Sequence, residues 1–193
     1  QAESLGQWMA QHVKLDALYT STMARTLETA AYVSEATGVA AQPDDRLREF
    51  GNCYANGCAI PAEVMPIQYP EFWGSERPYT YIVPEGESWM LFRVRVGTFL
   101  DDIVAKHGGE AETTVAVICH GGVVEAVFDN AFNIGPHRRV EIWTENTGIV
   151  HWEYVPNSRR EIWRLHTHSL ALHLMNGGWL GSEPVLRGTK GRV

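Results

Sequence analysis

The run Val115-Ala116-Val117-Ile118 leads directly into Cys119-His120-Gly121-Gly122, and a second apolar run, Val123 to Phe128, follows at once. A short apolar stretch bounded by glycine and continued by a helical pattern reads as a buried strand, a tight turn and a helix. Consecutive apolar residues in a strand mean that both of its faces are covered, which is the habit of parallel sheets in α/β proteins. Ligands of open α/β sheets bind outside the carboxyl ends of the strands, and His120 stands at such an end. The glycines let backbone approach a ligand closely, and the helix start behind them offers unpaired N–H groups to an anion.

The rest of the chain fits that plan. Ala2, Leu5, Met9 and Val13, with Trp8 beside Met9, mark one face of a helix already under way at residue 1. Leu15 to Thr20 reads as a strand, with Ser21 as N-cap of a helix from Thr22 to Thr37 and Gly38 at its end. Residues 42–86 hold six of the nine prolines and read as a long irregular insertion, a lid or substrate wall over the site. Trp89, Phe92, Val96, Phe99, Leu100 and Ile103 repeat at three and four, and Gly108-Gly109 closes that helix. Beyond Pro136, strands are predicted near 139–144, 147–155 and 161–167, joined partly by hairpins. Residues 176–193 read as a flexible tail. Strands alternating with amphipathic helices predict a three-layer α/β/α fold with a mainly parallel central sheet, as a single domain over 1–193.

With 193 residues the chain is long enough for one well-buried core and short for two. A net charge of −7 argues against nucleic-acid binding, which needs clustered Lys and Arg. No apolar run approaches the roughly 20 residues of a membrane span. Three cysteines, an odd number without framework spacing, point to a reducing, cytoplasmic compartment. A small anion remains a fitting ligand, since one or two placed arginines suffice for it.

Arg25 supplies such a group. It falls in the first turn of the helix after the Leu15–Thr20 strand, where the helix dipole favours acids over bases. A guanidinium beside open helix N–H groups makes a fork-shaped phosphate or carboxylate site. The plainer reading is a surface arginine paired with Glu28 or Asp45, and for His120 it is a core histidine satisfied by backbone. Two strand-to-helix turns that present such groups to one sheet edge make a convergent site.

Four stretches resemble one family. Ser21-Thr22-Met23-Ala24-Arg25-Thr26-Leu27-Glu28-Thr29-Ala30 is similar to the S-x-x-x-R-x-x-x-T-A element of the histidine phosphatase superfamily, with its phosphoglycerate mutase-like fold. The strand and turn at His120 resemble its second-histidine motif. Leu47-Arg48-Glu49-Phe50-Gly51 resembles its L-x-E-x-x-G region, and Asn146-Thr147-Gly148 its late N-x-x element. The resemblance runs from residue 1 to about residue 175, with order and spacing kept.

It implies a phosphohistidine mechanism without cofactor or metal. Arg25 would clamp the phosphoryl group, His120 would donate hydrogen bonds to its oxygens, and Glu49 would protonate the leaving alkoxide. Ser21, Gly121 and Tyr54 would contact the substrate, a small phosphorylated metabolite; a homodimer is left open. The plainer reading of Glu49 is a loop carboxylate paired with Arg46 or Arg48.

The chain departs from the family in two ways. The nucleophile's R-H-G motif does not occur in the 193 residues, so the attacking histidine is expected on a strand upstream of residue 1, and the chain alone should be inactive. The other His-Gly pair, His107-Gly108, ends a helix and reads as a solvated C-terminal histidine. Phosphoglycerate mutases carry Glu-Arg-x-Tyr-Gly near the acid, whereas this chain has Glu49-Phe50-Gly51-Asn52-Cys53-Tyr54, which favours a phosphatase. Mutase-type phosphoryl transfer is the alternative. The aromatics Tyr54, Tyr69, Phe72, Trp73, Tyr79, Tyr81 and Trp89 would wall the leaving-group side.

Other chemistries fare worse. No cysteine is followed by C-x5-R spacing, and no G-x4-G-K-[ST] loop occurs. His166, His168 and His173 could offer metal ligands, but no Asp, Glu or Cys lies between residues 162 and 182 to complete a set. The family's N-D-x-x-H-L becomes His168-Ser169 followed by His173-Leu174. A binding module that kept Arg25 and His120 without a nucleophile is the remaining class.

Overall fold

The computed structural model describes residues 1–51, 78–81, 86–109, 111–137, 140–156 and 162–175. In chain order these form α1 (Ala2–His12), β1 (Ala17–Ser21), α2 (Ala24–Thr37), β2 (Ala41–Asp44), α3 (Trp89–His107), β3 (Val115–Ile118), α4 (Gly121–Ala131), β4 (Ile149–Tyr154) and β5 (Trp163–Leu170). Single 3-10 turns cover Asp45–Leu47 and Leu172–Leu174. The chain divides into two compact units. The first comprises Gln1–Pro43, Ile103–Ile118 and Thr144–Val193, the second Asp44–Asp102 and Cys119–Trp143. The segment from 52 to 77, with Tyr54, Tyr69, Phe72 and Trp73, lies outside the described residues, as does the tail from 176.

The first unit is built on a sheet ordered β2-β1-β3. β1 and β3 pair in parallel, with Ala17 opposite Val115 and Thr20 opposite Ile118, so both strands end at one sheet edge. All five residues of β1 are buried, as a central strand with covered faces requires. Leu5 and Met9 of α1, Val33 of α2 and Leu18 of β1 make the core, joined by Trp8, Leu15, Val39, Ala41, Ala116, Ile118 and Ile149. Gly6 lets α1 and α2 touch, because a Cβ there would stand 2.7 Å from the Tyr32 carbonyl oxygen. Gly38, at φ 74°, stops α2 in the left-handed conformation. An antiparallel β4–β5 pair completes the unit, with its register irregular around His151.

Three local expectations need correction. Ser21 is not the N-cap of α2; it ends β1, and the helix starts three residues later behind Met23. Buried hydroxyls close this turn instead: Ser21 Oγ accepts the Met23 N–H (3.3 Å), and Thr26 Oγ1 donates to the Ser21 carbonyl (3.0 Å). Ala41–Asp44, read as the beginning of the irregular insertion, is a strand at the end of the described sheet, a position that tolerates Pro43. The segment 140–145 carries strand-favouring residues but forms no strand, and Val140 and Trp143 are 61% and 69% exposed. β-propensity alone, without a partner strand to pack on, does not make a strand.

The second unit packs the front of α3 against α4 and the 44–51 loop. Phe92, Val96, Phe99, Val123, Ala126 and Leu47 are fully buried. Phe50, Trp89 and Phe92 form a cluster with all three ring centroids 5.2 Å apart. Trp89 therefore belongs to the core and not to a substrate wall, and its Nε1 donates to Asp129 Oδ2 (3.2 Å). Tyr79 and Tyr81 are exposed. Arg93 is buried too; its guanidinium donates to the carbonyls of Asp129, Ile134 and Gly135 and to Asn130 Oδ1, all within 3.2 Å.

Candidate active site

His120 occupies the N-cap of α4 in extended backbone, φ −130° and ψ 165°, and its ring makes no capping bond to the helix. Its carbonyl accepts the Val124 N–H (3.0 Å), and the residue is 7% exposed. Gly121 is exposed at the first position of α4.

Next to this turn, burial pushes the Cys119 thiol up to about 12, and the charge of Glu49 adds to that effect against a hydrogen bond from the His120 backbone. Such a thiol carries about a thousandth of the thiolate that an ordinary cysteine holds at pH 8. Iodoacetamide labelling at pH 8, mapped by peptide mass spectrometry, should therefore modify Cys119 at least about 100-fold more slowly in the folded protein than in urea. Equal rates would contradict the neutral thiol.

Glu49 sits in the second unit with the same turn. Its Oε1 accepts the Phe50 N–H (2.8 Å), and its Oε2 faces the Gly122 N–H (3.4 Å), in the first turn of α4. A Cβ on residue 122 would overlap Glu49 Oε1, whereas one on residue 121 would meet open space. The missing side chain of Gly122 is thus the seat of a carboxylate. Of the two arginines considered as partners for Glu49, Arg46 binds Asp44 (2.7 Å) and Asp102, and Arg48 lies 4.0 Å from Asp45.

Two residues of this region escaped sequence reasoning. Arg95 and Glu87 form a two-pronged ion pair, with Nε to Oε2 at 3.0 Å and Nη2 to Oε1 at 2.7 Å. Arg95 Nη1 also donates to the carbonyls of Arg46 (2.7 Å) and Arg48 (2.9 Å), and Glu87 Oε1 accepts the Gly51 N–H (3.1 Å). Burial pushes the Glu87 carboxyl above its ordinary range, while Arg95 and the Gly51 N–H pull the other way. The available signal was an arginine two turns into a helix whose neighbours Phe92, Val96 and Phe99 define its apolar face.

In the first unit, Arg25 is the second residue of α2 and is exposed, and Ser21 is fully buried at the end of β1. Tyr54 lies outside the described residues. Of the histidines raised as metal ligands, His166 and His173 have other partners. His166 Nε2 is 2.8 Å from Glu153 Oε2, and His173 Nε2 is 2.9 Å from Thr147 Oγ1. His151 stacks on His166 at 4.8 Å, and its ring is held neutral to lower pH by burial and by that neighbour. Among the described residues no cluster of three or more His, Cys, Asp or Glu could hold a metal ion. His107, read as a solvated helix-end histidine, instead lies 3.0 Å from the Tyr19 hydroxyl.

The parallel β1–β3 pair, with α1 and α2 packed on it, gives the first unit an α/β arrangement. The chain belongs to the histidine phosphatase superfamily, branch 1, whose sequence model matches residues 1–168. A putative phosphoserine phosphatase 2 of Hydrogenobacter thermophilus is 29% identical over 144 residues, 72% of this chain and 68% of that protein. Phosphoglycerate mutase-like protein 4 of Arabidopsis thaliana is 28% identical over 134 residues, 68% of this chain but only 56% of its own length. The fold matches that of Bacillus stearothermophilus YhfR, with TM-score 0.68, 23% identity and coverage of 89% of this chain and 82% of the other. It also matches a phosphoserine phosphatase from Entamoeba histolytica in complex with phosphoserine, with TM-score 0.66, 20% identity and coverage of 90% and 82%. Among the described residues no helix is long and apolar enough to cross a membrane.

Proposed function

We propose that this chain is part of a metal-independent phosphomonoester hydrolase that works through a phosphohistidine. The attacking histidine is carried on a segment ahead of residue 1. The observation that carries the reading is the Glu49 carboxylate facing the Gly122 N–H, in the helix turn that His120 opens. A proton donor and a phosphoryl-stabilising imidazole are the two groups a leaving alkoxide and a charged phosphoryl group require. The parallel register of β1 and β3 supports Arg25 as the clamp, because the turn before α2 begins at the sheet edge where β3 ends.

In the first step the nucleophilic imidazole attacks phosphorus and the P–O bond to the leaving group breaks. Glu49 gives its proton to the departing alkoxide. Arg25 and His120 hold the phosphoryl oxygens as charge spreads over them. In the second step Glu49, now ionised, takes a proton from water, which attacks phosphorus and releases the histidine. Ser21, Gly121 and Tyr54 contact the substrate, a small phosphorylated metabolite. Glu49-Phe50-Gly51-Asn52-Cys53-Tyr54 in place of a mutase-type run supports hydrolysis over mutase transfer, and the relatives named phosphoserine phosphatase point the same way. The odd number of cysteines supports a cytoplasmic location.

The test uses the full-length protein with a chromogenic phosphomonoester, with and without EDTA, followed by chemical quench of the radiolabelled intermediate. Hydrolysis indifferent to EDTA is expected, through a phosphoenzyme that survives alkali and is lost in acid, as phosphoramidates are. Activity abolished by EDTA, or a phosphoenzyme with the opposite lability, overturns the reading.

A further inference from the structure

The geometry points to Arg95 and Glu87 as positioning residues for Glu49: a part-buried ion pair that grips the loop on both sides of the acid and fixes where its carboxylate can reach. The inference rests on the assignment of Glu49 as proton donor. Arg95 holds the carbonyl of Arg48, immediately before Glu49, and that of Arg46, two residues further back. Glu87 holds the N–H of Gly51, two residues after it. Gly51 has φ 75°, a left-handed turn that favours glycine, and the Glu87 bond fixes the peptide that makes this turn. Phe50, between the two grips, is locked into the Trp89 and Phe92 rings. With residues 46, 48, 50 and 51 all anchored, the side chain of Glu49 is delivered to the gap at Gly122.

An ion pair in this position is costly to bury and is weak evidence for stability by itself. Three of its hydrogen bonds, however, go to one loop, and the other two join the partners that hold that loop. Glu87 is 6% exposed, and the Arg95 guanidinium lies 4.7 Å over the Phe92 ring, so both members are fixed by packing before they fix anything else. Placing a reacting group to within about half an ångström needs support of this kind, and a misplacement of about 1 Å can cost about 100-fold in rate.

The experiment measures full-length Glu87→Gln and Arg95→Lys on two substrates, below each variant's melting temperature. One is an alkyl phosphate, whose alkoxide needs a proton to leave; the other is 4-nitrophenyl phosphate, whose phenolate leaves without one. The inference expects kcat on the alkyl ester to fall about 10- to 100-fold and kcat on the nitrophenyl ester to change less than about threefold, with KM unchanged for both. Adding Glu87→Gln to Glu49→Gln should then cost nothing more, because the pair acts through the acid. Should Glu87→Gln not fold, Arg95→Lys carries the test, since it keeps the charge and gives up the grip on two carbonyls. Equal losses on both substrates, or none, while Glu49→Gln retains its leaving-group dependence, overturn the positioning role. If Glu49→Gln itself shows no such dependence, the proton-donor assignment fails and the inference fails with it.

Discussion

Replacing His120 by alanine is expected to lower kcat for phosphomonoester hydrolysis about 100- to 1,000-fold while KM moves little. That is the usual cost of removing one donor aimed at charge that develops in the transition state. On the proposed reading other groups also hold ground-state phosphate, so binding is not what the imidazole adds. The fold should survive the change, because the ring makes no capping bond to α4 and the bond from Val124 goes to the backbone carbonyl. Steady-state kinetics on the full-length protein, with circular dichroism as a check on folding, decide the matter. A loss confined to KM would make His120 a binding group only, and a kcat change under about tenfold would remove it from the reaction.

The second large effect is on stability. Arg93→Ala should destabilise the protein by about 3–5 kcal/mol, the range for stripping one partner from a buried charged network. Three backbone carbonyls and the Asn130 amide oxygen lose the guanidinium at once, although the Asp129 carbonyl keeps the Ile134 N–H. The Asp129 carboxylate, 3.9 Å from Arg93 Nε, would keep Trp89 but lose its nearby cation. For a chain of this size the melting temperature should fall by about 6–20 °C. Arg93→Met, which refills the space of the stem, should lose less. Thermal unfolding of the two variants separates the parts played by packing and by hydrogen bonds. A loss below about 1 kcal/mol for alanine would mean that water takes over these acceptors and that the network does not hold α3 to the end of α4.

Much of the fold was legible because it depends on local patterns. The apolar run at Val115–Ile118 and the turn after it gave β3 and α4, and the three-and-four repeat from Trp89 gave α3 almost to the residue. Family-like motifs singled out Arg25, Glu49 and His120, and of these the structure sets Glu49 against the helix turn that His120 opens. What could not be read depends on pairing over long separations. Ala41–Asp44 becomes a strand because β1 offers an edge, whereas Val140–Trp143, with better strand residues, does not become one. Trp89 was grouped with the aromatics of a substrate wall, yet it packs against Phe50 and Phe92 in the core. Glu87 and Arg95 look like ordinary surface charges on a helix start. Their role emerges only when the carbonyls of Arg46 and Arg48 and the N–H of Gly51 arrive from a segment some forty residues away.

The twin glycines after His120 are identical letters with different duties. At 121 a methyl group would point into open space; at 122 it would stand where Glu49 Oε1 already is. Positions 49 and 122, 73 residues apart in the chain, therefore share one small volume. Any side chain added at 122 has to be subtracted from the acid at 49. A redesign that installs alanine at 122 is bound to consider aspartate at 49 in the same move, and a library that varies either position alone samples mainly broken combinations.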